Sequence, residues 1–155
     1  MVRNAPRPPR QRKADTLAML GAANQDVWVA TASTQDGSAH PHLVPVSLAW
    51  VDGRVVIAVD ATSPTARNIA AAGSARLAVG PTRDVVMIDA QLADTVPVAD
   101  SGTLGDAYAQ QADWDPRTAG GAYQYLVLTP RRIQAWREAD EIPGRTLMRA
   151  GAWLV

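Results

Sequence analysis

Two Asp-Gly turns in close succession constrain the fold of this chain more than any other feature of its sequence. The first turn spans residues 35–38 and the second spans residues 52–53. They separate three runs rich in β-branched and other apolar residues, at 27–34, 43–51 and 54–60. Asp-Gly favours tight hairpins because both positions tolerate a positive φ. The three runs are therefore predicted to be antiparallel neighbours, since a parallel pair needs a long crossover connection.

The remaining sequence adds more strands and a few short helices. Three further runs have the composition of strands, at 75–80, 85–96 and 123–136. Capping residues and closing glycines predict helices at 15–21 and 63–73, and the residues at 103–112 also favour a helix. Six antiparallel strands with a helix between the third and the fourth predict a mainly β fold, a small closed or nearly closed barrel.

The composition excludes several kinds of chemistry. The chain of 155 residues has no cysteine, which excludes disulfides and thiolate metal sites, and its two histidines leave little for a metal site or a triad. No apolar run approaches the ~20 residues that cross a membrane, and the N-terminus lacks the apolar stretch of a secretory signal. We therefore expect a cytoplasmic protein with no bound metal and no membrane partner.

The first 13 residues differ in charge from the rest of the chain. They hold five cations and no acid, and prolines at positions 6, 8 and 9 disfavour regular structure. This pattern predicts a disordered basic tail at 1–13, ahead of a single domain at 14–155. The domain then carries ten basic residues against fifteen acids, which makes nucleic-acid binding by the folded part unlikely.

The start of the helix at 63–73 is a candidate phosphate site. A helix N-terminus gathers unpaired N–H groups and the positive end of the helix dipole. Ser63 and Thr65 add hydroxyl groups, and Arg67 adds a guanidinium that can grip two phosphate oxygens. The same residues also fit a well-capped helix with an exposed arginine.

The segment 40–47 is a second candidate site. Pro45 cannot donate to a strand ladder, so it marks an edge, a bulge or a point that faces a ligand. His40 and His42 lie on one face of the strand, and His42 is a candidate proton donor or haem ligand. Two surface histidines after a turn also explain the pattern. No glycine-rich phosphate loop and no Ser/His/Asp arrangement is evident, so an enzyme of this kind would depend on a cofactor.

The order of these segments resembles a known family. The chain is similar to pyridoxamine 5′-phosphate oxidase-like split β-barrel proteins. The segments that carry the similarity are, in order, the strand His-Leu-Val-Pro-Val-Ser at 42–47, the Asp-Gly turn, the strand Val-Val-Ile-Ala-Val-Asp at 55–60, the helix at 63–69 and the two strands after it. Within that group they are most similar to actinobacterial flavin and deazaflavin oxidoreductases. The resemblance covers residues 15–137. It implies a six-stranded antiparallel split barrel that forms a homodimer and binds FMN or the deazaflavin coenzyme F420 at the interface.

The resemblance also implies a set of cofactor-binding residues. One strand lies along the ring, a second strand borders it, the helix start holds the phosphate, and a tryptophan reaches the ring from the partner subunit. The corresponding residues are Val44, Pro45, Val46 and Ser47 for the first strand, Val59 and Asp60 for the second, Ser63, Thr65, Arg67 and Asn68 for the phosphate, and Trp136.

The implied activity is the transfer of a hydride between the cofactor and a small organic substrate. The alternatives are a flavin carrier or sensor without turnover and a haem-binding split barrel. True pyridoxamine phosphate oxidases end in a basic substrate-binding motif that is missing at 143–149, which argues against oxidation of vitamin B6. F420 has a long anionic tail that requires a basic groove, for which Arg67, Arg76 and Arg83 are candidates.

Overall fold

A computed structural model describes residues 5–155, which form three helices and one antiparallel sheet. The helices are α1 (Pro9–Leu20), α2 (Pro64–Ala72) and α3 (Gly102–Ala112). The strands are β1 (Asp26–Ser33), β2 (His40–Ser47), β3 (Ala49–Val51), β4 (Arg54–Asp60), β5 (Ser74–Val79), β6 (Val85–Pro97), β7 (Tyr123–Trp136), β8 (Thr146–Arg149) and β9 (Ala152–Trp153). No helix in this range has the length and apolar character needed to cross a membrane.

The sheet rolls into a barrel because one stretch of chain belongs to both of its ends. The strand order is β2-β1-β5-β6-β7-β4-β3. β2 and β3 are consecutive and meet at the buried residue Leu48, yet β2 pairs with β1 while β3 pairs with β4. Counted as one bent strand, 40–51 makes six long strands with β1, β4, β5, β6 and β7. The predicted six-stranded antiparallel split barrel is therefore confirmed.

Both predicted hairpin turns are present. Asp52 and Gly53 have φ of 51° and 75°, and Asp36 and Gly37 have φ of 59° and 72°. Aspartate tolerates this left-handed region better than most residues, and glycine adopts it freely. Asp52-Gly53 forms a two-residue turn between Val51 and Arg54, whereas Asp36-Gly37 lies in a longer loop between Ser33 and His40. β1, β2 with β3, and β4 therefore follow one another as an antiparallel meander.

The core fills the barrel and extends to one outer face. Inward-facing side chains such as Val29, Ile57, Leu77 and Ile133 have no exposed surface. A second buried cluster around Tyr108 packs α3 against the outside of β3, β4 and β7. α3 thus covers one outer face of the barrel. The connection from α3 to β7 starts at this face and reaches the candidate site.

The predicted disordered tail is wrong where the structure describes it. Helix α1 begins at Pro9 rather than near residue 15. The Arg7 guanidinium bonds the carboxylates of Glu141, Asp15 and Asp84, and the buried Arg12 donates to the carbonyl oxygens of Arg7 and Glu141. The acids that neutralise Arg7 are up to 134 residues away along the chain, so local composition could not reveal them. Residues 1–4 of the predicted tail lie outside the described residues.

Candidate functional site

The barrel is split between β2 and the second half of β4. β3 pairs only with residues 54–56 of β4, so residues 57–60 of β4 have no partner in β3. β2 meanwhile turns away at Leu48 to pair with β1. The gap is an open groove of about 410 Å³, here called the main groove. Its lining comprises His42, Val44, Val46, Ser47, Ala58, Val59, Asp60, Ser63, Pro64, Thr65, Trp114 and Tyr123.

Strand alternation decides which β2 side chains reach the main groove. His42, Val44 and Val46 line it, whereas Leu43 and Pro45 are exposed on the opposite face. Successive side chains of a strand point to opposite faces, so a proline between two groove residues must turn away. The Pro45 side chain therefore faces away from this groove, and cofactor binding by the Pro45 segment of β2 stays a prediction. Pro45 instead lies in register with Trp28 of β1.

The backbone of β2 presents polar groups along its outer edge. Leu48 N–H donates to the Gln25 carbonyl at 2.9 Å, and antiparallel pairs alternate between hydrogen-bonded and non-hydrogen-bonded positions. Even-numbered residues of β2 therefore bond to β1, and the N–H groups of Leu43 and Ser47 point away from it. Pro45 occupies a position where its missing N–H removes no ladder bond. β2 ends the main path of the sheet, which leaves this edge available to a ligand.

Asp60 places a carboxylate at the end of the main groove. Its Oδ1 accepts hydrogen bonds from the Thr62 hydroxyl at 2.6 Å and the Thr62 N–H at 2.8 Å. These bonds favour the charged form and lower the pKa of Asp60. The carboxylate is therefore ionised at neutral pH, and it disfavours an anionic group close by.

The start of α2 offers fewer free donors than its sequence predicts. Ser63 caps the helix, and its Oγ accepts from the Ala66 N–H at 3.2 Å. The Arg67 N–H bonds the Ser63 carbonyl, and Pro64 has no N–H. In the first turn only the Thr65 N–H is not used by the helix, with the largely buried Thr65 side chain next to it.

Arg67 and Asn68 do not line the main groove. Their neighbouring cavity of about 790 Å³, here called the side cavity, lies between α2 and the tip of the β1–β2 hairpin. Asn68 donates its amide to the Thr31 hydroxyl at 3.1 Å in a buried contact that ties α2 to β1. Its predicted part in phosphate binding competes with this structural bond. Arg67 is exposed and forms none of the ion pairs found in residues 5–155.

Two other predicted cations and the predicted tryptophan lie elsewhere. Arg76 bonds Asp89 at 2.6 Å, Arg83 bonds Glu138 at 2.8 Å, and neither arginine lines the main groove or the side cavity. Trp136 ends β7, whose first residue, Tyr123, lines the main groove. Thirteen residues of strand, on the order of 40 Å, separate the two ends. Trp136 therefore does not reach the main groove of its own chain, and Arg145 covers its ring at 5.4 Å.

Two aromatic residues of the main groove were missed by the sequence interpretation. Trp114 and Tyr123 meet edge to face with ring centroids 5.4 Å apart. Trp114 also contacts the buried Tyr108 of α3 at 6.3 Å. Tyr123 pairs with Asp60 across β4 and β7, a contact between distant parts of the chain. The only local signal was the tryptophan itself, in a loop where an exposed aromatic side chain is unusual.

The arrangement can hold a flat apolar molecule, and its side chains form no evident metal site. The lining of the main groove includes valines of β2 and β4 and the two aromatic rings. No group of three or more His, Asp or Glu side chains in residues 5–155 is arranged to hold a metal. Eight predicted residues line the main groove, namely His42, Val44, Val46, Ser47, Val59, Asp60, Ser63 and Thr65.

Sequence comparison alone does not assign this chain to a family. No model of a protein family matches it. It is 30% identical over 172 aligned positions to ribosomal protein L11 methyltransferases of Burkholderia pseudomallei and Burkholderia mallei. The alignment covers 97% of this chain but 56% of the methyltransferase. The chain thus spans about half the length of the curated relatives it matches.

Comparison of structures identifies the fold. An F420 reductase superposes with a TM-score of 0.57 at 18% identity, over 75% of this chain and 94% of the other. A protein of Listeria innocua assigned as a pyridoxamine 5′-phosphate oxidase gives 0.57 at 12% identity, over 79% and 96%. A heme binding protein of Mycobacterium smegmatis gives 0.57 at 19% identity, over 97% and 60%. The chain therefore has the split-barrel fold of the pyridoxamine 5′-phosphate oxidase-like proteins.

Proposed function

We propose that this protein is an oxidoreductase that binds a flavin-type cofactor, FMN or F420, and transfers a hydride to or from a small organic substrate. The observation that carries the proposal is the main groove, an open slot between two strands of one barrel with apolar and aromatic sides. Proteins of the same fold include an F420 reductase. The proposal goes beyond that likeness and rests on the lining of this groove.

The residues of the main groove fit an isoalloxazine or deazaflavin ring. Val44, Val46 and Val59 offer apolar contact, and Trp114 offers an aromatic surface. Its volume of about 410 Å³ is typical of ligand pockets. The outward N–H groups of Leu43 and Ser47 provide donors for the polar edge of such a ring.

The protein would supply position and electrostatics, and the bound cofactor would supply the capacity to accept or release a hydride. The β2 edge would orient the ring, and the aromatic side would exclude water from one of its faces. His42 lines the mouth of the main groove and is the side chain there suited to give or take a proton at its imidazole nitrogen. Solvent is the other proton source.

The proposed assembly is a homodimer. Trp28 and Leu43 are 50% and 60% exposed on the outer face of β1 and β2. Trp28 lies in register with Pro45 on one side and with Ala78 on the other, which makes a continuous apolar surface. A second copy of the chain would bury it, and Trp136 of that copy is the residue expected to approach the ring. The cytoplasmic location and the absence of nucleic-acid and membrane partners stay predictions.

One observation favours haem as a second candidate ligand. His42 faces the apolar main groove, where an imidazole could ligate the iron of a flat porphyrin. This reading predicts a Soret band in the haem-loaded protein that His42→Ala removes. A carrier or sensor without turnover is the other alternative, and it predicts tight flavin binding with no faster hydride transfer.

Equilibrium titration of the purified protein with FMN, F420 and haem tests the proposal. We expect saturable binding of FMN or F420, and we expect Trp114→Ala to weaken it about tenfold through loss of the aromatic contact. Trp153→Ala is the matched control, because Trp153 is another partly exposed tryptophan and lies at β9, outside the main groove. Absence of saturable binding of both FMN and F420 at high micromolar concentration would refute the proposal.

A further inference from the structure

Asp60 carries a negative charge in the main groove that is not paired with a cation. It takes part in none of the ion pairs found in residues 5–155. The lining of the main groove contains no lysine or arginine from that range. Thr62 fixes the position of the carboxylate, because both of its hydrogen bonds, at 2.6 Å and 2.8 Å, are accepted by Oδ1. The charge of Asp60 is therefore available to a ligand in the groove.

The residue opposite Asp60 in the sheet is aromatic. Tyr123 is its partner in the ladder of β4 and β7. Directly opposed residues of an antiparallel pair direct their side chains to the same face of the sheet. Both side chains line the main groove. The phenol ring of Tyr123 therefore stands beside the carboxylate of Asp60.

The connection between α3 and β7 passes close to the same carboxylate. The Ala122 carbonyl accepts a hydrogen bond from the Ala61 N–H at 2.9 Å, which ties the connection to the residue after Asp60. A Cβ at Gly121, where φ is 80°, would lie 3.9 Å from Oδ2 of Asp60. The connection that carries Trp114 therefore runs beside Asp60, and the carboxylate has protein on more than one side.

A carboxylate beside aromatic rings favours a cation. The faces of tryptophan and tyrosine rings attract positive charge, and a carboxylate attracts it more strongly. An anion would be repelled by Asp60, and a neutral group would gain a hydrogen bond without the attraction of opposite charges. The ring planes of Trp114 and Tyr123 meet at 79°. Because the rings are nearly perpendicular, one can lie against a flavin while the other contacts a second molecule.

We propose that Asp60, Trp114 and Tyr123 form a recognition site for the positively charged end of the substrate, which is a small organic ammonium compound. The inference rests on the proposed function for the flavin-type ring that lies next to this substrate. Asp60 is then a specificity-determining residue, since its carboxylate accepts a hydrogen bond from the ammonium group and pairs with its charge. The aromatic rings contact the cation and keep water from the ion pair. The same carboxylate selects against anionic substrates.

Benzylammonium, benzyl alcohol and benzoate test this site, because they share a phenyl ring and differ in charge. In calorimetric titrations of the FMN-loaded protein, we expect benzylammonium to bind at least about tenfold more tightly than benzyl alcohol, and benzoate not to saturate. Asp60→Asn should reduce this preference to about twofold or less, because the amide can still accept from Thr62 but lacks the charge. Tyr123→Leu should reduce it about threefold through loss of one aromatic face.

A control variant and a local signal show where the cation binds. Asp52→Asn is the matched control, since Asp52 is an exposed aspartate in the turn at the other end of β4, and it should leave the preference unchanged. The chain has five tryptophans, and the indole N–H signal of Trp114 is the one that Trp114→Phe removes from the NMR spectrum. We expect benzylammonium to shift this signal saturably and Asp60→Asn to weaken the response.

The outcomes separate this site from the proposed function. If neither FMN nor F420 binds, the flavin proposal fails, and the same titrations of the cofactor-free protein test the cation site alone. Where FMN binds, the cation site is overturned by equal binding of benzylammonium and benzyl alcohol, by absence of saturable binding of both, or by a preference that Asp60→Asn leaves unchanged. Benzylammonium that displaces FMN would overturn the assignment of this site to the substrate.

Discussion

At the scale of single residues, Glu141 joins the two ends of the described chain. Its side chain is 3% exposed and accepts two bonds from the Arg7 guanidinium, at 3.0 Å and 2.8 Å, and one each from the N–H groups of Arg7 and Arg137. The bonds from Arg7 are the main cause that lowers the pKa of Glu141 from its ordinary 4.5 to about 2, against the opposing effect of burial. Protonation of the Glu141 carboxylate therefore weakens bonds that hold the fold together.

The pH dependence of stability follows from this shift. Because the pKa of Glu141 is lower in the folded than in the unfolded chain, its stabilisation is complete above about pH 4.5 and is lost as the pH falls toward 2. We expect Glu141→Gln to lack this part of the acid destabilisation, about 2–3 kcal/mol, in urea unfolding between pH 5 and 2. Glu138→Gln is the control, since Glu138 is exposed and pairs with an exposed Arg83. Parallel stability curves for wild type and Glu141→Gln would show that Glu141 is not the group responsible.

At the scale of elements, the connection between α3 and β7 holds the aromatic side of the main groove. Arg117 bonds both carboxylate oxygens of Asp115 in the same connection and Asp106 of α3. Asp113 closes α3 with φ of 52°, and Trp114 follows it directly. Arg117 therefore fastens to α3 the segment that carries Trp114.

Loss of the Arg117 ion pairs should make the segment that carries Trp114 more mobile without unfolding the barrel. We expect Arg117→Gln to speed amide hydrogen exchange in residues 113–122 while the urea midpoint changes little, since exposed ion pairs contribute little to global stability. Arg83→Gln, which breaks an exposed pair elsewhere, should leave exchange at 113–122 unchanged. Equal exchange in Arg117→Gln and wild type would mean that packing of Trp114 on Tyr108, not Arg117, holds the segment.

At the scale of the whole molecule, the outer face around Trp28 and Leu43 is the surface on which the proposed dimer depends. Leu43 alternates with Val44 along β2, so the face proposed for dimerisation and the main groove lie on the two sides of one strand. A change on the outer face therefore reaches β2, whose edge is proposed to orient the ring.

Charge on this face should separate the subunits. We expect Trp28→Glu to weaken dimerisation at least about tenfold in sedimentation experiments, because a carboxylate would be buried without a partner. Ile142→Glu is the control, a substitution of another exposed apolar residue away from β1 and β2. A wild-type protein that sediments as a monomer at high micromolar concentration would contradict the dimer.

Sequence reasoning located the strands well because their signals are local. The Asp-Gly turns, the strand at 27–34 and the Ser63 to Gly73 helix depend on residues close in the chain, and the structure confirms each of them. The main groove was located through the resemblance and through strand 42–47. The sequence interpretation did not show that the Pro45 side chain turns away from the groove, which follows from the alternation of side chains along β2.

The sequence by itself determined the antiparallel meander, the capped helix after it and the run of residues from which the main groove is built, because tight turns and caps are short-range effects of a few side chains. Only the tertiary structure decided that Arg7 is bound by Glu141, that Tyr123 stands beside Asp60 and that Arg67 opens onto a cavity next to the main groove. These contacts join residues far apart in the chain, and they depend on how the whole sheet closes. No local pattern encodes which distant partner each side chain meets.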